Sequence, residues 1–197
     1  MPQTRSSQKI KVYWDFHGVM VNAGVLKSLA VKKLFDIYLP PERSTSELVK
    51  EDKIITTDQL KTAKKHAYDT EVFFDSMFPV HGAIVCAQKL LAHPRIECKI
   101  VTSVGEAGVK VIRKWLDSFG LQELEVVGTA GQPKTDFVRG ADAYTDDALR
   151  KLKPLHGAVK HLFLFDREYN RHLKVKGICR RAMSWQHYYN SAMSFVK

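Results

Sequence analysis

The sequence predicts an α/β protein built as a three-layer sandwich, and three observations predict it. Short apolar runs ending in polar residues recur along the chain, amphipathic stretches alternate with them, and one long interval after the first run holds no strand-like segment. Lys9–Phe16 (KIKVYWDF) opens the series as the first strand and leads into Asp-Phe-His-Gly. Glu97–Ser103, Leu124–Gly128, Ala141–Thr145 and His161–Asp166 follow with similar length and character, which makes five strands, and Arg181–Ser184 is a candidate sixth. Such runs suit a mainly parallel, Rossmann-like sheet whose strands are covered on both faces and so lack polar alternation.

Helices separate the runs. His81–Ala92 carries Ile84, Ala87, Leu90 and Leu91 at helical spacing. Glu106–Phe119 does the same with Val109, Ile112, Trp115, Leu116 and Phe119, and Gly120 supplies a stop. This alternation predicts right-handed crossovers that lay helices on both faces of the sheet.

The interval from Asn22 to Pro79 reads as a small helical cap inserted after strand one. Ala23–Tyr38 is amphipathic, Pro40 and Pro41 interrupt it, and capping-box patterns follow at Ser44-x-x-Glu47 and Thr56-x-x-Gln59. The interval is too long for a loop and too short for a separate domain. The expected organisation is a core of residues 9–21 and 80–197 with a cap of residues 22–79.

Composition narrows the function classes. The chain has 197 residues, a formal net charge of +10 and 45% hydrophobic residues, enough for one domain that needs neither disulfides nor a structural metal. No apolar run approaches the roughly 18 residues of a membrane span, so no membrane partner is expected. Cys86, Cys98 and Cys179 form neither an even-numbered framework nor a C-x-x-C pair, and each reads as a small buried thiol. Met1–Gln8 is polar, so no secretory signal is expected and the protein is expected to be cytoplasmic. From Lys151 onward ten Lys and Arg residues stand against only Asp166 and Glu168. A basic end suits anionic ligands or keeps a surface solvated, and charge alone does not choose.

Polar residues collect where the predicted strands end. Asp15 and His17 follow the first strand, Thr102 and Ser103 close the second, Asp146 and Asp147 follow the fourth, and Lys134 precedes the fourth. In an open α/β sheet ligands bind outside the carboxyl ends of the strands, so these groups are expected to meet in one crevice. A carboxylate on a rigid strand tip can attack phosphorus and form an aspartyl-phosphate, dividing one hard displacement into two easier ones. Two anions repel, so a divalent cation is required, and Mg²⁺ takes oxygen ligands from one or two carboxylates plus the phosphate. Asp15 with Asp146 or Asp147 supplies that pair. Donors for the phosphate oxygens come from Thr102 or Ser103, from N–H groups at the start of the Glu106 helix, and from Lys134. Gly18 lets the chain turn sharply beneath the phosphate.

The segments D-F-H-G-V, I-V-T-S, P-K-T-D and Y-T-D-D, in that order, resemble the four motifs of the haloacid dehalogenase-like phosphohydrolase superfamily. The insertion sits where that superfamily places its helical cap. Stretches at 78–83 (FPVHGA), 111–120 (VIRKWLDSFG), 141–149 (ADAYTDDAL), 164–170 (LFDREYN) and 184–189 (SWQHYY) look like the 5'-nucleotidases that act on deoxyribonucleotides. The resemblance implies Asp15 as nucleophile and first metal ligand, with the His17 backbone carbonyl and one of Asp146 and Asp147 completing the protein ligands of Mg²⁺. It implies Thr102 or Ser103 on the phosphoryl group and Lys134 steadying Asp15 and the phosphate. The implied substrate is a small phosphorylated molecule, a (deoxy)nucleoside 5'-monophosphate.

His17 departs from the pattern. Superfamily phosphatases usually carry aspartate there as the acid that protonates the leaving oxygen. The backbone carbonyl is unaffected, but the acid changes. Imidazole has a reference pKa near 6.5, and a site rich in carboxylate and phosphate is expected to raise it and make a protonated donor. The neutral ring could then accept a proton from the attacking water, or its bulk could crowd the leaving group. The competing reading is a degenerate phosphatase-like protein that binds nucleic acid or another acidic partner through its basic C-terminal quarter; nucleic acid is not the favoured partner. A third is a phosphohydrolase acting on another small phosphorylated metabolite.

Blander roles compete elsewhere. The other histidines lack zinc-site spacing. Ser103-x-x-Glu106 is also a capping box, which makes Thr102 the safer phosphate ligand. Phe73, Phe74, Met77 and Phe78 read as core in preference to a base-stacking floor. Trp14 should face away from Asp15 by strand alternation, and Trp115 reads as core. Trp185, Tyr188 and Tyr189 stay open between cover for a ligand and cover for a partner, as do Arg167 and Arg171 between phosphate and surface.

Overall fold

The computed structural model describes residues 8–196. Residues 1–7, most of the stretch on which the expectation about a secretory signal rests, lie outside the described residues, as does Lys197 of the basic end.

Six strands form one all-parallel sheet: β1 (Ile10–Trp14), β2 (Ile96–Thr102), β3 (Glu125–Gly128), β4 (Ala143–Asp146), β5 (His161–Phe165) and β6 (Arg180–Ala182). Their order is β3-β2-β1-β4-β5-β6. The expected five strands are thus corrected to six. The added edge strand spans only three residues, two of them arginine, and pairs through its backbone with Phe163–Phe165. Little apolar signal marks such a strand. In register, Trp14 stands beside Ile100 of β2 and Thr145 of β4, so the tip of β1 is central to the sheet.

Among the described residues there are eight α-helices. Three lie in the interval after β1: α1 (Ala23–Phe35), α2 (Ser46–Asp52) and α3 (Thr57–Tyr68). The others are α4 (Ala83–Leu91), α5 (Glu106–Asp117), α6 (Thr135–Val138), α7 (Leu149–Leu152) and α8 (Trp185–Met193). Local chemistry sets their ends. Asn22 Oδ1 accepts from Gly24 N at 3.0 Å to start α1, which stops at Phe35 because Asp36 turns left-handed at φ +56°. The capping box of α3 forms in both directions, Gln59 N to Thr56 Oγ1 at 3.1 Å and Thr56 N to Gln59 Oε1 at 2.8 Å. The other pattern slips by one residue: Thr45 caps α2, and the Ser44 hydroxyl donates to the Pro41 carbonyl. The interval returns to the sheet where it left it, through an antiparallel bridge between Val21 and Pro79 and a 2.7 Å bond from Val80 N to Met20 O.

Two apolar clusters cover the two faces of the sheet. Val12, Trp14, Ile100, Phe163 and Phe165 belong to the larger, with residues of α1, α4, α5 and α8; Tyr13, Val101, Tyr144, Leu162 and Leu164 belong to the other, beside α7. Alternation along β1 therefore sends Trp14 and Tyr13 to opposite layers. Trp14 meets Trp185 edge-on at 5.4 Å between ring centroids. Trp185 donates its indole N–H to the Val19 carbonyl, Trp115 to that of Met77, and the Tyr188 hydroxyl to that of Tyr13. Trp185 and Tyr188 are core, not a ligand cover. Met77 is buried, Phe73 and Phe74 are half-buried against the core, and Phe78, expected in the core, is 71% exposed. Cys86 and Cys98 are buried as expected; Cys179 is half-buried. No helix among the described residues is long and apolar enough to cross a membrane.

Candidate active site

The order of strands reverses beside β1, between it and β4, which makes the switch point where open α/β sheets bind ligands. Asp15 is the first residue past β1 there. Its N–H donates to the Thr145 carbonyl at 2.9 Å, its Oδ1 accepts from Phe16 N at 2.8 Å, and the residue is 1% exposed. Oδ2 lies 3.2 Å from the Nζ of Lys134 and 3.2 Å from that of Lys151. Lys134 also reaches Asp146 Oδ2 at 2.8 Å and the Tyr144 hydroxyl at 2.6 Å. Asp146 Oδ1 accepts from Ala148 N at 2.9 Å. Asp147 accepts from the Tyr169 hydroxyl at 2.5 Å, and the Asn170 amide holds its carbonyl at 2.9 Å. One carboxylate oxygen from each of Asp15, Asp146 and Asp147 lies within 4.8 Å of the other two.

Charge separates these carboxyls. Burial works against ionisation of Asp15, but the Lys134 and Lys151 ammonium groups outweigh it and hold the carboxyl below its usual range. Burial wins at Asp146 and, despite Lys134, raises it to about 6. Lys151 is penalised by burial, yet Asp146 and Asp15 keep it charged and above its ordinary value.

The structure places Asp15, His17, Thr102, Ser103 and Asp147 around a cavity of about 670 Å³. Lys134 and Asp146 are buried beside Asp15 and do not line it. Gly18 turns the chain at φ +92°, but its N–H is spent on the Val21 carbonyl at 2.9 Å and its own carbonyl on Arg167 Nε at 2.5 Å. It shapes the turn and has no free amide for a phosphate. Arg171 pairs with Asp166 at 2.9 Å, so neither arginine reaches the cavity. Ser103 does not cap α5: the helix starts at Glu106 behind Gly105, without a side-chain cap. Its hydroxyl is therefore as available to a ligand as that of Thr102.

His17 reverses its expectation. The ring stacks on Tyr68 from α3 with centroids 3.7 Å apart and is 6% exposed. Burial drives its pKa down to about 3; Asp15 opposes this and Lys151 reinforces it. The ring is neutral, not the protonated donor that its acidic neighbours suggested.

Sequence reasoning missed Lys151, Tyr68, Lys27, Lys64 and Tyr169, all of which line the cavity. A signal existed for two of them. Lys27 adjoins Leu26 on the buried side of α1, and Lys64 falls among Leu60, Ala63 and Ala67 on that of α3. A lysine on an apolar stripe asks for a reason.

The family model described as 5' nucleotidase, deoxy (pyrimidine), cytosolic type C protein matches residues 8–195. Among solved structures, a hydrolase from Pseudomonas syringae superposes with a TM-score of 0.62 at 18% identity, over 95% of this chain and 99% of that one. A haloacid dehalogenase-like protein of unknown function from Agrobacterium tumefaciens gives 0.66 at 12% identity, over 96% and 100%. A HAD-hydrolase from Bacillus subtilis, solved bound to magnesium, gives 0.60 at 14% identity, over 94% and 99%. At such identities the likeness is one of fold. No curated protein sequence matched the chain.

Proposed function

Because the chain belongs to the family of 5' nucleotidase, deoxy (pyrimidine), cytosolic type C proteins, we propose that it hydrolyses (deoxy)nucleoside 5'-monophosphates through an aspartyl-phosphate on Asp15, with Mg²⁺ as cofactor. The observation that carries this reading is an ionised, buried carboxylate at the central strand tip with two ammonium groups on its Oδ2 and two more carboxylates within 4.8 Å.

The donor set fits the ion: carboxylate and carbonyl oxygens, with no sulfur or imidazole needed, are what Mg²⁺ takes. Asp15, the His17 carbonyl and Asp147 would hold it, since Asp146 is committed to Lys134. Bound there, the cation supplies neutralisation of the carboxylate–phosphate repulsion. Asp15 attacks phosphorus through a carboxylate that Lys134 and Lys151 keep ionised and oriented. The Thr102 and Ser103 hydroxyls and the Lys151 ammonium receive the phosphoryl oxygens. His17, neutral and packed under Tyr68, offers a ring nitrogen as hydrogen-bond acceptor to the water that opens the aspartyl-phosphate, and the protons of that water leave on the released phosphate. Residues 22–79 act as a cap on the core of 9–21 and 80–197 and keep other water away.

Phosphate release from a panel of nucleoside 5'-monophosphates with Mg²⁺ tests the reading. Release that disappears in Asp15→Asn is the expected result. No release, or release indifferent to that substitution, overturns it.

A further inference from the structure

We propose that the substrate carries a second anionic group, which Lys27, Lys64 and Arg150 hold in the same cavity where Asp15 meets the phosphoryl group. The inference rests on the phosphohydrolase reading and narrows its substrate class to phosphomonoesters with an additional phosphate or carboxylate, such as a nucleoside bisphosphate.

The cavity walls hold more positive charge than one phosphoryl group uses. Lys27, Lys64, Arg150 and Lys151 all line it. Lys151 is matched by Asp15 at 3.2 Å, and Arg150 lies 3.5 Å from Glu47 across half-exposed side chains. Lys27 and Lys64 have no ion pair among the described residues. Lys27 is 5% exposed; its ammonium donates to the Ser44 carbonyl at 2.7 Å and lies 5.1 Å over the Tyr169 ring, both neutral. The Lys64 ammonium donates to the Ser46 hydroxyl at 3.3 Å. Asp147 acts on both ammonium groups and Glu47 on Lys64, but neither forms an ion pair with them among the described residues and burial outweighs both. A buried ammonium held mainly by neutral dipoles is costly, and a fold keeps one where an anion arrives to meet it.

The cations also act on one another. Burial and then Lys64 bring Lys27 down to about 7, while burial and then Arg150 bring Lys64 to about 8. An anion among them would relieve both. Their origin separates them from the groups around the nucleophile. Lys27 and Lys64 descend from α1 and α3, whereas Thr102, Ser103 and Asp15 rise from the strand ends. The phosphoryl group already has those hydroxyls and Lys151, so the helical side of the cavity is free for a second anion.

The test compares ester pairs that differ in one anionic group: a nucleoside 3',5'-bisphosphate against the 5'-monophosphate, and 6-phosphogluconate against the open-chain glucitol 6-phosphate. The doubly anionic partner of at least one pair is expected to show kcat/KM about tenfold higher, as suits charge-assisted hydrogen bonds. Which pair separates identifies a phosphate or a carboxylate as the second anion. The ratio should fall towards one in Lys64→Gln and in Lys27→Met, and the more exposed Lys64 keeps the test valid if the buried change does not fold. Ratios near one in the wild type, with Asp15-dependent release intact, overturn the inference and leave the phosphohydrolase reading standing. If no ester is cleaved, that reading fails by itself. Calorimetric titration of wild type and Lys64→Gln with the bisphosphate and the monophosphate then decides the matter. Equal affinities overturn the second anion site; tighter bisphosphate binding that Lys64→Gln weakens upholds it.

Discussion

A Cβ placed on Gly18 would stand 2.2 Å from Oδ2 of Asp147 and 2.3 Å from its Cγ, at a backbone φ of +92°. No side chain fits there without moving Asp147 or unwinding the turn that follows the nucleophile. Gly18→Ala should therefore cost about 1–3 kcal/mol of stability. Mg²⁺ should raise the melting temperature of the wild type, and Gly18→Ala should abolish both that rise and phosphate release. An alanine variant that keeps the Mg²⁺-dependent rise would show that Asp147 is not a ligand of the ion.

A neutral His17 makes a poor acid. Hydrolysis should favour esters whose leaving group needs no proton, so p-nitrophenyl phosphate should far outrun alkyl phosphates. His17→Asp should narrow that gap by restoring an acid, a gain of about 10² to 10⁴ on alkyl esters. With the ring pKa near 3 in the free protein, kcat/KM should show no titration of this residue between pH 6 and 8. A fall centred near 6.5 that disappears in His17→Asp would mean the ring is charged before substrate binds.

Lys134 sits between two buried carboxylates, 3.2 Å from Asp15 and 2.8 Å from Asp146. Lys134→Met strips Asp146 of its 2.8 Å partner and leaves Asp15 with Lys151 alone, and should destabilise the fold by about 3 kcal/mol in urea titrations. Adding Asp146→Asn should recover part of that loss, because it removes one uncompensated carboxylate. Strictly additive losses would show that the two residues do not share their stabilisation.

Lys27 sets a pH dependence of stability. Its folded pKa of about 7 lies below the model-peptide value of about 10.4, so the unfolded chain binds more protons between those limits. Stability therefore rises with pH across that window. With Lys64 acting in the same direction, the unfolding free energy should grow by about 3–4 kcal/mol from pH 7 to pH 9. Lys27→Met should flatten the rise and leave the protein more stable at pH 7. A wild type whose stability is level over this range would place a charged ammonium at Lys27 throughout.

Much of this was legible before any coordinates because the chemistry lies at strand ends in a set order. Asp15, Thr102, Asp146 and Asp147 each follow or close an apolar run, and a parallel sheet brings such ends together. What escaped depends on partners remote in sequence. Lys151 meets Asp15 across 136 positions, and no local pattern marks it. His17 is neutral because Tyr68 of α3 buries it, a fact of packing that its acidic neighbours in sequence could not disclose. β6 is held by backbone pairing rather than apolar side chains. Ser103 matches a capping box, but α5 starts behind Gly105, whose geometry a residue pattern does not encode.

The bridge between Val21 and Pro79 brings both ends of the interval after β1 to one point. Since the chain departs and comes back at one point, β1 and β2 keep their register whatever lies between. Any helices exchanged for those contributing Lys27 and Lys64 would have to keep the Tyr68 ring that packs on His17 beside the nucleophile. Under the second-anion proposal, selectivity is carried by this interval, and Lys27 and Lys64 are where redesign of this enzyme would begin.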